Sequence, residues 1–283
     1  DLAGRRADAV GNERKLIDPE MVGPVSVVHY KAADGLEMDG VLTLPPGRTA
    51  KNLPVVMMPH GGPLDEEDRP EFNWWAQALA SRGYAVFQPN FRGSGHRGDA
   101  FMAAGYGQWG RKMQTDISDG LAELARQGIV DPKRACIVGA SYGGYAALAG
   151  VTLQQGLYRC AVAFAPVSDL FDMYTSDNRE SGLSDAVQRY LDQKWGPVSG
   201  FAAVSPRKHA ADADAPILII HGKDDTTVPF SQGTRMVDAL KEAKKPVEFV
   251  VLDKEDHYLS RAETRKAMLA ACVRFVMQHN PPD

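Results

Sequence analysis

Arg134-Ala-Cys-Ile-Val-Gly139-Ala-Ser141-Tyr-Gly143-Gly-Tyr145 is the stretch from which the rest of the chain can be read. An apolar run ends at Gly139, one small residue follows, and Ser141 stands between Gly139 and Gly143. A small-residue stretch, Tyr145-Ala-Ala-Leu-Ala, then opens as a helix. A strand that turns this sharply into a helix strains the serine and pushes its hydroxyl clear of the backbone. Glycines two residues to either side follow from the same crowding, because a Cβ there would meet the neighbouring strand or helix. The bare pentapeptide is a weak signal; the strand before it and the helix after it make it strong.

Outward from this turn, strands and helices alternate. Residues 25–30 and 37–44 read as two strands joined by the turn Ala33-Asp34-Gly35, a hairpin closed by Pro45-Pro46-Gly47. Strands are expected at 54–58, 84–88, 135–138, 160–165, 217–220 and 247–252. Helices are expected at 74–82, 115–127, after Ser141, at 231–243 and at 261–278. Such alternation predicts a mostly parallel sheet with helices on both faces, and the leading hairpin adds antiparallel strands at one edge. Residues 168–210 break the rhythm with a polar segment at the carboxyl end of the sheet, where open α/β sheets bind ligands. They read either as a lid or pocket wall, or as a helical surface insertion without contact to substrate. Residues 1–20 are polar and without period, and read as a linker to a catalytic domain over 21–283.

The composition excludes several classes. A chain of 283 residues with 44% apolar and 24% charged residues suits one large globular domain. Its formal net charge of −4, without a basic stripe, gives no footprint for nucleic acid. No apolar run reaches the roughly 18–20 residues that span a bilayer, so no membrane partner is expected. Cys136, Cys160 and Cys272 lie among apolar neighbours without CxxC spacing and read as buried small hydrophobes. That fits a cytoplasmic location, with a periplasmic one if a leader has been removed. A homo-oligomer is compatible with the sequence.

A serine hydroxyl is a poor nucleophile at neutral pH and needs a base beside it, with a carboxylate to hold that base in its useful tautomer. His221-Gly-Lys-Asp-Asp225-Thr-Thr-Val-Pro229 follows the strand at 217–220, and Lys-Glu-Asp-His257-Tyr follows the one at 247–252. Both loops share the strand-end rim of Ser141. Asp225 and Asp224 compete for the orienting role, and His221 rivals His257 as base, although His221 reads better as a buried structural residue. The oxyanion donors are expected from the N–H of Tyr142 and from Pro59-His60-Gly61-Gly62-Pro63, with Gly62 ahead of Gly61. Tyr142 and Tyr174 are candidates to line the acyl pocket. No metal-ligand pair is present, and neither metal nor cofactor is called for. Gly93-Ser-Gly95-His-Arg-Gly98 with Asp116 matches a dinucleotide fingerprint, but no helix is expected to open directly after it, so nucleotide binding is set aside. The acidic run 65–68 reads as a solvated loop, with attraction of a cationic substrate group as the alternative.

These residues resemble the catalytic α/β-hydrolase domain of the prolyl oligopeptidase family of serine peptidases, in its acylaminoacyl-peptidase and dipeptidyl-peptidase-like branch. The matching segments include Asp34-Gly35, Gly40-Val-Leu-Thr-Leu-Pro-Pro46, His60-Gly-Gly-Pro63 and Asn90-Phe-Arg-Gly-Ser-Gly95. They continue with Gly107-Gln-Trp-Gly110, Asp116, Gly139-Ala-Ser-Tyr-Gly-Gly144, His221-Gly-Lys-Asp-Asp225, Val228-Pro229 and Asp256-His257. The resemblance implies an eight-stranded α/β-hydrolase sheet and Ser141 as nucleophile, Asp225 as orienting acid and His257 as base. It implies an oxyanion hole at Gly62 and Tyr142 and short peptides as substrates. A carboxylesterase on the same triad is the alternative, and a silent binding module is a third reading. Members of this family usually carry an N-terminal β-propeller over the active site, so the chain is expected to be the hydrolase part of a larger protein.

Overall fold

A computed structural model describes residues 16–180 and 184–282. Most of the proposed linker, residues 1–15, and the call for residues 181–183 lie outside the described residues. The sheet contains β1 (Val25–Lys31), β2 (Glu37–Thr43), β3 (Leu53–Met57), β4 (Ala85–Asn90), β5 (Val130–Ala140), β6 (Cys160–Phe164), β7 (Ile217–Gly222) and β8 (Val247–Leu252). Its spatial order is β1-β2-β4-β3-β5-β6-β7-β8. The β1–β2 and β2–β4 pairings are antiparallel and the remaining ones parallel, as the leading hairpin requires. This is the α/β-hydrolase arrangement.

Alternation along each central strand divides the core into two layers. Val55, Met57, Phe87, Ile137, Ala161 and Ile219 face the layer that includes α3 (Lys112–Arg126), α4 (Tyr142–Thr152) and α7 (Phe230–Glu242). Val56, Val86, Val138, Val162 and Ile220 face α1 (Trp74–Ala80) and α8 (Ala262–His279) on the other side. Central strands buried on both faces explain the continuous apolar runs in the sequence. Helix α4 is buried along its whole length, so it carries no polar face. Asn73 caps α1 by accepting from the N–H groups of Trp75 and Ala76.

Two expectations need correction. A short helix, α2 (Asp99–Ala103), does open directly after Gly98. The loop before it is nonetheless committed elsewhere: the Gly93 N–H donates to the Phe101 carbonyl, and Ser94 bonds His60. Asp116, the acid of that fingerprint, is buried and takes a two-pronged hydrogen bond from Arg92, which also grips Asp34. Second, Cys136 and Cys160 are joined as a disulfide, and only Cys272 is free and buried. The pair are register partners on adjacent parallel strands with Cα atoms 4.8 Å apart, a proximity that their sequence spacing cannot reveal. Residues 168–210, read from the sequence as a pocket wall or a helical insertion, contain two helices, α5 (Leu170–Glu180) and α6 (Asp185–Trp195), followed by short 3₁₀ turns. Among the described residues, no helix is long and apolar enough to cross a membrane.

Candidate active site

The turn at the end of β5 has the strain expected of it. Ser141 adopts φ 57° and ψ −119°, a backbone that L-residues rarely hold without surrounding support. Its N–H donates to the Phe164 carbonyl, and its carbonyl accepts from Tyr145, so both sides of the serine are pinned. A Cβ at Gly139 would lie 2.3 Å from the Gly143 carbonyl oxygen, and one at Gly143 would lie 2.1 Å from that of Pro59. Neither position has room for a side chain, because the obstacle is backbone. Tyr142 opens α4, where first-turn N–H groups have no intrahelical acceptor.

The loop after β7 holds a buried carboxylate. Asp225 Oδ1 accepts from the N–H groups of Thr227 and Val228 at 2.9 and 2.8 Å. Its Oδ2 lies 2.8 Å from His257 Nδ1 and 3.3 Å from His221 Nε2. Burial pushes this carboxyl up, but the hydrogen bonds from His221 and His257 and the Val228 N–H outweigh burial and hold it well below the usual carboxylate range. Asp224, its rival, is exposed. His221 is buried and its Nε2 lies 3.0 Å from the Val228 carbonyl, which can only accept, so that nitrogen carries the proton. His221 therefore braces the loop, as its place at a strand end suggests.

His257 sits on the loop after β8, with its side chain 11% exposed. Donation from Nδ1 to Asp225 leaves Nε2 as the basic nitrogen. Glu255, which sequence reasoning missed, holds this loop from below. Fully buried, it accepts from the N–H groups of Asp256, Ser260 and Arg261 and from the Thr264 hydroxyl. Its signal in the sequence is no more than an acid beside a histidine. Among the described residues the hydrogen-bond network joins His257 to Asp225 and stops short of Ser141.

A cavity of about 360 Å³ opens beside Ser141. Gly62 and Tyr142 line it, as do Trp109 and Trp195, with Asp177 and Lys194 from α5 and α6. Residues 168–210 thus supply a pocket wall. Tyr174 does not line the cavity; its hydroxyl bonds Asp192 instead. Burial raises the Asp177 carboxyl, against the opposing pull of Lys194, 3.6 Å away, and the Trp195 indole N–H. A larger cavity of about 700 Å³, bounded by residues including Arg111, Thr152 and His209, shares no lining residue with this one. No cluster of side chains suited to a metal occurs among the described residues.

In the loop after β3, Gly62 has φ +105°, and its N–H finds no backbone acceptor among the described residues. Gly61 lies so near the serine that a Cβ on it would be 3.5 Å from Ser141 Cβ. A strained serine, an aspartate-bound histidine and a glycine loop therefore gather at one end of the sheet. The model of the prolyl oligopeptidase family matches residues 70–281. The chain belongs to that family. It is 30% identical to dipeptidyl aminopeptidase BIII of Pseudoxanthomonas mexicana, over 94% of this chain and 40% of that protein. It is 27% identical to the acylamino-acid-releasing enzyme of Sus scrofa, over 87% of this chain and 34% of the enzyme. Among solved structures, a puromycin-hydrolysing peptidase of Mycobacterium tuberculosis superposes with a TM-score of 0.84 at 26% identity, covering 94% of this chain and 41% of the other. The family member thus spans about a third to two fifths of the length of such relatives.

Proposed function

We propose that this chain is the acyl-transfer unit of a serine peptidase that cleaves short peptides. Ser141 is the nucleophile, His257 the general base, Asp225 the acid that orients it, and the N–H groups of Gly62 and Tyr142 form the oxyanion hole. The observation that carries this reading is the 2.8 Å Asp225–His257 contact on the same sheet edge as a strained Ser141. Family membership and peptidase relatives support it.

In the substrate complex, His257 Nε2 must come within reach of Ser141 Oγ, a contact that commonly tightens only when substrate is present. Nε2 takes the hydroxyl proton as Oγ bonds the substrate carbonyl carbon, and the carbonyl π pair moves onto oxygen. That oxyanion accepts from Gly62 and Tyr142. Its collapse breaks the C–N bond, and His257 passes its proton to the departing amine. Water then repeats the sequence on the ester and restores Ser141. The peptide substrates, a preceding propeller that limits their size, and self-association belong to this proposal as well.

The test is turnover of a panel of blocked and unblocked peptide anilides beside p-nitrophenyl esters. Amide cleavage is expected, with a loss of roughly 10⁶-fold in kcat for Ser141→Ala. Ester cleavage without amide cleavage would replace the peptidase by a small-ester hydrolase. Full turnover by Ser141→Ala would remove the mechanism altogether.

A further inference from the structure

The cavity beside Ser141 carries its charge in one place. Among the described residues Asp177 and Lys194 are the charged side chains that line it, and their opposite signs cancel. Val167, Met173 and Val228 make other parts of the lining apolar, beside the Trp109 and Trp195 rings. Those two rings stack with centroids 4.5 Å apart, and Trp109 meets the Tyr142 ring edge-on at 4.6 Å, so one wall is an aromatic surface held in place by its own packing. Both partners of the Asp177 carboxylate sit on Oδ2: the Trp195 indole N–H donates to it at 3.2 Å, and the Lys194 ammonium lies 3.6 Å away. Oδ1 has no partner among the described residues. The Asp177 side chain is 19% exposed, so a substrate group in the cavity can meet that free oxygen.

Ser141, Gly62 and Tyr142 all line this cavity, so a carbonyl carbon bonded to Ser141 lies at its edge. The side chain one bond further on, that of the residue supplying the scissile carbonyl, is the one the cavity receives. Three classes of side chain fit poorly there. A cation that approaches Asp177 also meets Lys194, an anion that approaches Lys194 also meets Asp177, and either leaves water for a site without net countercharge. A purely apolar side chain strips water from Oδ1 without replacing the hydrogen bond. What suits the site is a neutral side chain with a flat apolar body and a donor at its far end. The phenol of tyrosine has this form: its ring lies against the aromatic wall, and its hydroxyl, neutral below about pH 10, donates to Oδ1. A glutamine amide offers a donor but no ring.

We propose that Asp177 is a specificity-determining residue that selects tyrosine as the residue supplying the scissile carbonyl. Its Oδ1 accepts from the substrate phenol, while Trp195 holds Oδ2 and Lys194 balances the charge. This inference rests on the reading of Ser141 as nucleophile and of Gly62 and Tyr142 as oxyanion donors.

The test uses the full chain and a series of dipeptide p-nitroanilides that differ only in the residue before the anilide: tyrosine, phenylalanine, glutamine, arginine or glutamate. Each is offered with a free and with an acetylated N-terminus. Tyrosine is expected to exceed phenylalanine by about 10–100-fold in kcat/KM, the worth of a hydrogen bond to a charged group. It should exceed arginine and glutamate by at least about tenfold, because each meets a like charge. Asp177→Leu should bring the tyrosine-to-phenylalanine ratio down to about 1, whereas a merely structural loss would lower both rates and leave the ratio alone. If Asp177→Leu does not fold, Asp177→Asn decides: a neutral acceptor of the same shape should cut the ratio at least about threefold. A parental ratio near or below 1, any of the other three residues ahead of tyrosine, or a ratio that survives both substitutions overturns the inference. Ser141→Ala separates the two levels. Hydrolysis that Ser141→Ala abolishes, with phenylalanine equal to tyrosine, rejects only the role of Asp177. Hydrolysis that survives Ser141→Ala, or none of any anilide, rejects the reading beneath it, and this inference falls with it.

Discussion

The floor and the wall of the Ser141 cavity are built on different principles. The floor consists of short loops at the ends of β3, β5, β7 and β8, and each is tied by backbone hydrogen bonds or by contacts without room for a Cβ. Asp225 and Glu255, both buried, collect N–H groups from the loops that carry them. The wall, α5 and α6, is anchored more thinly. Leu191 and Trp195 are the buried residues of α6, while Phe171, Val187 and Tyr190 stand exposed. Rigid strand ends suit groups that must meet within a fraction of an ångström, whereas a thinly anchored wall suits substrate preference. The contrast predicts that floor substitutions act on kcat and wall substitutions on the choice of substrate.

The largest effect is expected at Asp225. Asp225→Asn keeps an oxygen for the Thr227 and Val228 N–H groups but no longer holds His257 with its proton on Nδ1. A kcat loss of about 10⁴-fold is expected, with little change in thermal stability. Steady-state kinetics beside a thermal melt check this. A loss below about tenfold would break the contrast, because the best-anchored carboxylate of the floor would then be ornamental.

How much of each region could be read from the sequence follows the same divide. The floor was legible because its constraints are local. Gly139 is denied a Cβ by Gly143, four residues on, and β7 and β8 end in Asp225- and His257-bearing loops after the apolar runs 217–220 and 249–252. The sheet was legible because strands buried on both faces leave runs such as 217–220 with no polar residue. The wall was not. Trp109, Asp177, Lys194 and Trp195 meet at the cavity from three separate segments, and α6 buries too narrow a stripe to announce itself. Helix α2 has five residues, too few to display a helical period. The Cys136–Cys160 link depends on strand register, and Glu255 depends on the fold of its own loop.

Lys194 gives a middle-sized effect that sharpens the comparison from the wall side. Its ammonium lies 3.6 Å from Asp177 and 4.9 Å above the Trp195 ring. Lys194→Met keeps the stem and removes the charge, leaving Asp177 as the net charge of that part of the cavity. Relative kcat/KM for a substrate with a cationic side chain over an apolar one should rise about tenfold, roughly 1.4 kcal/mol. For the apolar substrate kcat should stay within about threefold of the parent. Competition between the two anilides reads the ratio directly. A fall in kcat for both substrates, with their ratio unchanged, would make the wall part of the chemistry and erase the distinction.

The smallest effect lies within the floor, in the contrast between Asp225 and Asp68. Asp225 is fully partnered and held low; Asp68 receives the Gln88 amide on Oδ1 at 2.6 Å, while its Oδ2 is buried without a partner. Burial therefore dominates at Asp68 and, with the nearby Glu66, Glu67 and Glu71 charges, raises its carboxyl to about 7. The sign follows from proton counting. Between the unfolded value near about 4 and the folded value, the native chain holds a proton that the unfolded chain has lost, so stability falls as pH rises through that window. Asp68→Asn cannot ionise and is free of this loss. Its melting temperature should match the parent near pH 4 and exceed it at pH 8 by about 2–4 °C, which corresponds to about 1 kcal/mol after screening at this partly exposed site. Melting curves of both proteins across that range check the prediction, and a difference that is constant with pH, or reversed at pH 8, would show that the Asp68 proton is not held by burial in the loop behind Gly62.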